Sequence, residues 1–280
     1  MDNTFIIKSL INRIKLLRSS YTENLEKVIN DFDDEAIHDL RVSIRRILAF
    51  MSLVDELCGR QLNISLIKSL KNKIKKFNQL RDVQVQISFL INQIKKFPEL
   101  LDFLFTLKSK EKKQISKLKK FLQKKQVNFA GELFFYHNNL KQEECFNQTT
   151  KDDVIKIAAN SLNEVKTSIG GIVVGNYETY HKTRLKIKRF RYIIETVEQI
   201  IQSPREKLKS IQELQTILGE IQDYTVLLSL LERFCQKKQL HMSIFLNFVN
   251  FIKQKREEKE NEFWQKKDLL EFWDSFFMKI

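Results

Sequence analysis

The chain has 280 residues but only 6 Gly and 2 Pro, where average usage would give roughly 34 of the two together. So few turn-forming residues exclude an all-β fold, and neither GxGxxG nor GxxxxGK[ST] occurs to support a nucleotide-binding α/β fold. Lys and Arg number 49 against 35 Asp and Glu, a net charge of +14 that favours nucleic acid, anionic membrane or small polyanions without choosing among them.

Apolar residues recur at helical spacing almost throughout. A first helix is predicted over about 3–30. The acidic segment from Asp31 to Ala36 supplies capping carboxylates for a second helix over about 34–57, which Gly59 ends. A third helix runs from about 61 to 96 and stops before Pro98, and a fourth continues to about 127. Residues 128–150 hold Gly131, Asn138, Asn139, Thr149 and Thr150 and read as a linker with at most a short helix.

The second half repeats this plan. A helix over about 151–168 is followed by a loop, Ser168 to Asn176, that holds Gly170, Gly171 and Gly175. A helix follows over about 177–202; Ser203-Pro204 caps and starts another to about 238. A last helix begins near 241 and reaches toward the tail, where Phe263, Leu270, Trp273, Phe277 and Ile280 recur at helical spacing. Such a stripe suits a core better than a dimer or membrane face. The expectation is an all-α chain of two pseudo-symmetric four-helix bundles: 1–128 and 151–262, joined by a linker over 129–150, with a helix over 263–280 packing back on them.

Cys58, Cys145 and Cys235 are odd in number and form no CxxC, which suits free thiols in a reducing compartment. The N-terminal residues show no signal-peptide pattern, and no apolar stretch is long enough to span a membrane.

The repeat extends to individual residues. Ile37-His38-Asp39-Leu40-Arg41-Val42-Ser43-Ile44-Arg45-Arg46 aligns with Tyr180-His181-Lys182-Thr183-Arg184-Leu185-Lys186-Ile187-Lys188-Arg189. At nearly the same offset, Leu80-Arg81-Asp82-Val83-Gln84-Val85 aligns with Ile221-Gln222-Asp223-Tyr224-Thr225-Val226. Two ordered matches point to internal duplication. On a helix, His38, Arg41 and Arg45 fall on one stripe beside the apolar stripe of Leu40, Ile44 and Ile47. His181, Arg184, Lys188 and Arg191 make the same stripe in the second half. Arg46 and Arg189 close the two motifs and are candidate anion-binding residues with the rest of each stripe. Lys68, Lys71 and Lys75 add a third stripe, of which only Lys68 has a basic counterpart in the second half, Lys209, with Gln212 and Thr216 at the other two positions.

These residue types suit phosphate oxygens: Arg as a fork of donors, Lys as a compact charge, His as a pH-responsive donor. Most other basic residues, including the run from Lys108 to Lys125, read as solvated helix surface. His137 and His241 lie outside the repeats. Asp82 and Asp223 read as carboxylates that pair with a basic residue of their own half and fix helix register. HExxH, GxSxG, paired Cys ligands and a calcium loop are all absent, so no residue is assigned to catalysis, metal or cofactor.

The paired His-x-x-Arg helices, each followed by a Leu/Ile-x-Asp-x-x-Val helix, resemble the CHAD (conserved histidine α-helical domain) family. Leu214-Gln215-Thr216-Ile217-Leu218-Gly219 to Asp223 is similar to that family's Leu-Gln-x-x-Leu-Gly-x-x-x-Asp segment. The first half departs from it, with Leu48 in place of a further Arg and Asn78 in place of Gly. The resemblance implies two bundles about a basic groove that binds inorganic polyphosphate, with His38, Arg41, Arg45, His181, Arg184, Lys188 and Arg191 as contacts. With the unpaired cysteines and the lack of a signal-peptide pattern, the expected location is cytoplasmic, with association with polyphosphate granules. No triphosphate-tunnel domain accompanies it in this sequence. The alternatives are a nucleic-acid backbone binder, for which the stripes lack interleaved aromatics, and a metal-dependent phosphoanhydride hydrolase using Asp82 or Asp223.

Overall fold

The computed structural model describes residues 3–125 and 129–280. Its α-helices are α1 (Asn3–Asn30), α2 (Asp34–Leu57), α3 (Ile64–Gln93), α4 (Leu101–Lys125), α5 (Phe129–Leu140), α6 (Glu144–Asn147), α7 (Lys151–Gly170), α8 (Tyr177–Ile201), α9 (Arg205–Lys238), α10 (Leu246–Lys266) and α11 (Glu271–Phe277). Short 3-10 turns lie at Pro98–Leu100, Met242–Phe245 and Lys267–Leu270. No strand occurs among the described residues.

Helix starts follow from short polar residues that satisfy the first free N–H groups. Asp33 accepts from the Ala36 amide at 2.7 Å, and Asn63 from the Leu66 amide at 3.0 Å. Thr150 and Asp153 form a reciprocal capping box at α7. The predicted cap of α9 differs: Pro204 precedes the first turn with no side-chain cap, and Ser203 is buried instead. Gly59 takes a left-handed φ of +62° directly after the cap of α2, a turn that L side chains resist. α3 is shorter than predicted, ending at Gln93, and the last predicted helix breaks at Lys267–Leu270 into α10 and α11.

Neighbour order repeats along the chain. α1 packs on α2, α2 on α3 and α3 on α4; then α7 packs on α8, α8 on α9 and α9 on α10. The two halves meet where α2 lies against α8. Both apolar cores draw on both halves. The larger takes Leu40, Ile44 and Phe50 from α2 together with Ile187, Phe190 and Ile193 from α8. The smaller joins the far ends of α3 and α9 to the starts of α4 and α10, through Leu90, Leu100, Leu231 and Phe248. Residues 129–150 carry α5 and α6, which bury Leu133, Tyr136, Leu140 and Phe146 in the larger core. The tail packs back as its stripe predicts: Trp273 is fully buried, edge-on to Phe190 at 5.6 Å between ring centroids.

The expectation of three free thiols does not hold. Cys58, at the end of α2, and Cys145, in α6, form a disulfide with their Cα atoms 5.0 Å apart. Cys235 stays free and buried. The partners are separated by 87 residues, so no local spacing announces the bond. It fits oxidising surroundings rather than a reducing compartment.

Candidate functional site

The contact of α2 with α8 brings the two basic stripes together. Arg41 and Arg45 project from α2, and Arg184 and Lys188 from α8; the four are close enough to perturb one another's charge. Arg41 and Lys188 are buried. α3 and α9 flank the cluster, tied by the Gln86 side-chain amide donating to the Asp223 carbonyl at 3.1 Å.

Each arginine is positioned differently. Arg41 donates its Nε to Asn78 Oδ1 at 2.9 Å, and Arg45 donates Nη2 to the same oxygen at 3.3 Å. One amide of α3 thus holds two guanidinium groups side by side. Arg184 lies over Gly219 of α9, and its buried Nε has no hydrogen-bond partner among the described residues.

The electrostatics follow from burial and crowding. Lys188 has no carboxylate within ion-pair distance among the described residues. Burial, and then the charges of Arg184, Arg45, Arg41 and Arg191, push its ammonium down to about 6. Burial and Arg45 push Arg41 down to about 10. Asp223 is pushed up to about 6, by burial first; Arg184 opposes this and Asp82 adds to it. Asp82 is exposed as a whole residue, yet desolvation of its carboxyl raises its pKa against the opposing charges of Arg41, Arg45, Arg184 and Lys188. The cluster therefore sets four basic side chains against Asp82 and Asp223 without a direct ion pair among the described residues, and leaves the buried Arg184 Nε unpaired. An arrangement of that kind can take up an anion that offers several oxygens.

The remaining predicted residues divide into three groups. His38 and His181 flank the cluster. Desolvation lowers both pKa values, helped by Arg81 and Arg41 at His38 and by Arg184 at His181. At neutral pH they offer N–H donors rather than charge. Arg46 and Arg191 share one carboxylate: Glu195 accepts from Arg46 Nε at 3.0 Å and lies 3.4 Å from Arg191 Nε. Arg189 is set apart, held by Glu164 at 2.7 Å and by Glu56. Lys68, Lys71 and Lys75 are exposed on α3. Counting back from Asn78, they recur at three, seven and ten residues, so they continue its face as a ladder leading from the cluster.

Sequence reasoning missed Arg13, Arg81 and the anchoring role of Asn78. Arg13, on α1, is charge-coupled to Glu195, Arg46 and Glu198, and it belongs to no repeated segment. Arg81 sits inside the repeated Leu-Arg-Asp segment and acts on both His38 and Arg41. The aligned Gln222 gave no sign of it.

The family model described as CHAD domain matches residues 13–232. No curated protein matches the chain. Among solved structures, the CHAD domain from the plant Ricinus communis is similar over 98% of this chain and 92% of that chain, with a TM-score of 0.68 and 16% identity. PptA from Streptomyces chartreusis is similar over 94% of this chain and 99% of that chain, with a TM-score of 0.74 and 14% identity. At these identities the likeness shows the fold.

Proposed function

The chain belongs to the CHAD domain family, and on that premise we propose that it binds inorganic polyphosphate, without hydrolysing it, along the cationic cluster between α2 and α8. The observation that carries this reading is Lys188, a buried amine among Arg41, Arg45 and Arg184 with no carboxylate at ion-pair distance among the described residues, which a bound phosphate would favour in its protonated form. A phosphate chain supplies the missing charge at regular intervals, and Lys75, Lys71 and Lys68 extend its track along α3. Binding is then driven by electrostatics and counterion release, and no base is read.

The test is a titration with polyphosphates of defined length, with RNA and DNA as competitors. Tight binding that weakens steeply with salt is expected, and polyphosphate displaces nucleic acid rather than the reverse. Reversal of Arg41, Arg45, Arg184 and Lys188 to Glu abolishes it. Unchanged affinity in that variant overturns the proposal. Nucleic acid that displaces polyphosphate favours a backbone-binding role. Phosphate released in the presence of magnesium or manganese favours a hydrolase using Asp82 and Asp223.

A further inference from the structure

A second surface, away from the central cluster, has a composition of its own. The smaller core ends where four helix ends meet: the end of α3, the Pro98–Leu100 turn with the start of α4, the end of α9, and the Met242–Phe245 turn with the start of α10. The two turns touch. Phe97 packs on Phe248 and Phe251, and Phe234 packs on Phe103 and Phe245, so the four ends form one tip.

Large apolar side chains stand in solvent on every one of these ends. Ile91, Leu101, Phe105, Leu240, Ile244 and Leu246 are all exposed, Phe105 by 57%. A single exposed apolar residue is ordinary, but a group at one end of a molecule marks an interaction site. Cations accompany them. A groove of about 720 Å³ between α4 and α9 has Phe103, Phe105, Leu230 and Phe234 in its wall. Lys110, Lys113, Arg233, Lys237 and Lys238 line it as well, against the single acid Asp102. Two lysines of the run that reads as solvated surface in the sequence therefore face this groove.

We infer that this tip docks on an anionic lipid bilayer, its exposed apolar side chains entering the interface and its cations lying against the headgroups. Charge complementarity selects the anionic surface, since juxtaposed Lys and Arg are drawn to anionic lipid. The apolar component selects a bilayer over nucleic acid: five of the six exposed residues are aliphatic and offer no ring for a base to stack on. Among the described residues no helix is long and apolar enough to cross a membrane, so the contact is peripheral.

Flotation of the full chain with vesicles tests this. Phosphatidylcholine vesicles containing about one third phosphatidylglycerol are expected to carry the protein, and pure phosphatidylcholine vesicles are not. Two variants separate the two components: Phe105→Ser with Ile244→Ser and Leu246→Ser, and Lys237→Glu with Lys238→Glu. Each is expected to lower the bound fraction at least fivefold while keeping the wild-type melting temperature and polyphosphate affinity. A central variant, Arg41→Glu with Arg184→Glu, is expected to float as the wild type does, so this inference and the polyphosphate reading fail separately. No flotation with anionic vesicles, unchanged flotation of both tip variants, loss of flotation in the central variant, or tip variants that lose RNA binding alone would each overturn it.

Discussion

Arg184 lies flat against α9 at Gly219: a methyl group built on that glycine would sit 3.5 Å from both Nε and Nη2 of the guanidinium. That distance is ordinary contact, so the glycine admits the arginine without being the only residue that could. Gly219→Ala is expected to keep polyphosphate binding and to raise stability by about 0.5–1 kcal/mol, the gain of replacing glycine inside a helix. Gly219→Leu fills the space the guanidinium occupies. It is expected to weaken binding about tenfold, as the loss of one charged hydrogen-bonding group does. Thermal denaturation and titration of the two variants check both outcomes.

Asn78 occupies the aligned position in the first half, and there the arginine is held by an acceptor instead. Asn78→Ala removes the oxygen shared by Arg41 and Arg45, with an expected stability loss of about 1 kcal/mol. Asn78→Asp places a carboxylate between the two guanidinium groups. It is expected to stabilise the free protein and to weaken polyphosphate binding at least tenfold, because the new charge takes the place of a phosphate. A variant that gains stability and keeps its affinity would show that these arginines do not contact the ligand.

Arg41, Arg45, Arg184 and Lys188 were legible in the sequence because they combine two local regularities, helical spacing and a motif that occurs twice. Both survive without knowledge of the fold. The helix order and the buried tail stripe were legible for the same reason. Arg189 shows the limit. Its place in the motif equals that of Arg46, yet Glu56 from α2 and Glu164 from α7 neutralise it, and only the packing of three helices brings those carboxylates there. Lys68, Lys71 and Lys75 show another: a wheel assigns a face on one helix and says nothing of how far that face reaches from the next. Arg13 and the Cys58–Cys145 bond depend on pairings across long sequence separations, which periodicity does not record.

The cluster titrates near pH 6 from two sides. Lys188 is held down at about 6 and Asp223 up at about 6, so below that pH the lysine is charged and the acid neutral, and above it the reverse. Affinity for long-chain polyphosphate is therefore expected to fall at least tenfold between about pH 5.5 and 8, with Lys188→Met flattening the profile. Stability of the free protein follows by linkage. Asp223 lies above its ordinary value, so its contribution is present at low pH and is lost as pH rises through 6. Lys188 lies below its ordinary value of 10.5, so the unfolded chain binds the extra proton between about 6 and 10.5 and stability climbs through that window. Melting temperature against pH should pass through a minimum near 6, and Lys188→Met should remove the rise on its alkaline side.

The disulfide separates the stability of the fold from the chemistry of the cluster. It joins the end of α2 to α6 and closes a loop across 87 residues, restricting the unfolded chain more than the folded one. Alkylation of the denatured protein is expected to label Cys235 alone, and all three cysteines after reduction. Cys58→Ser with Cys145→Ser is expected to cost about 2–4 kcal/mol in chemical denaturation. Polyphosphate affinity should not change, because Cys58 lies about 25 Å along the helix axis from Arg41 at 1.5 Å per residue. An equal loss of affinity and stability would mean that α6, and not only α2 and α8, holds the cationic cluster in register.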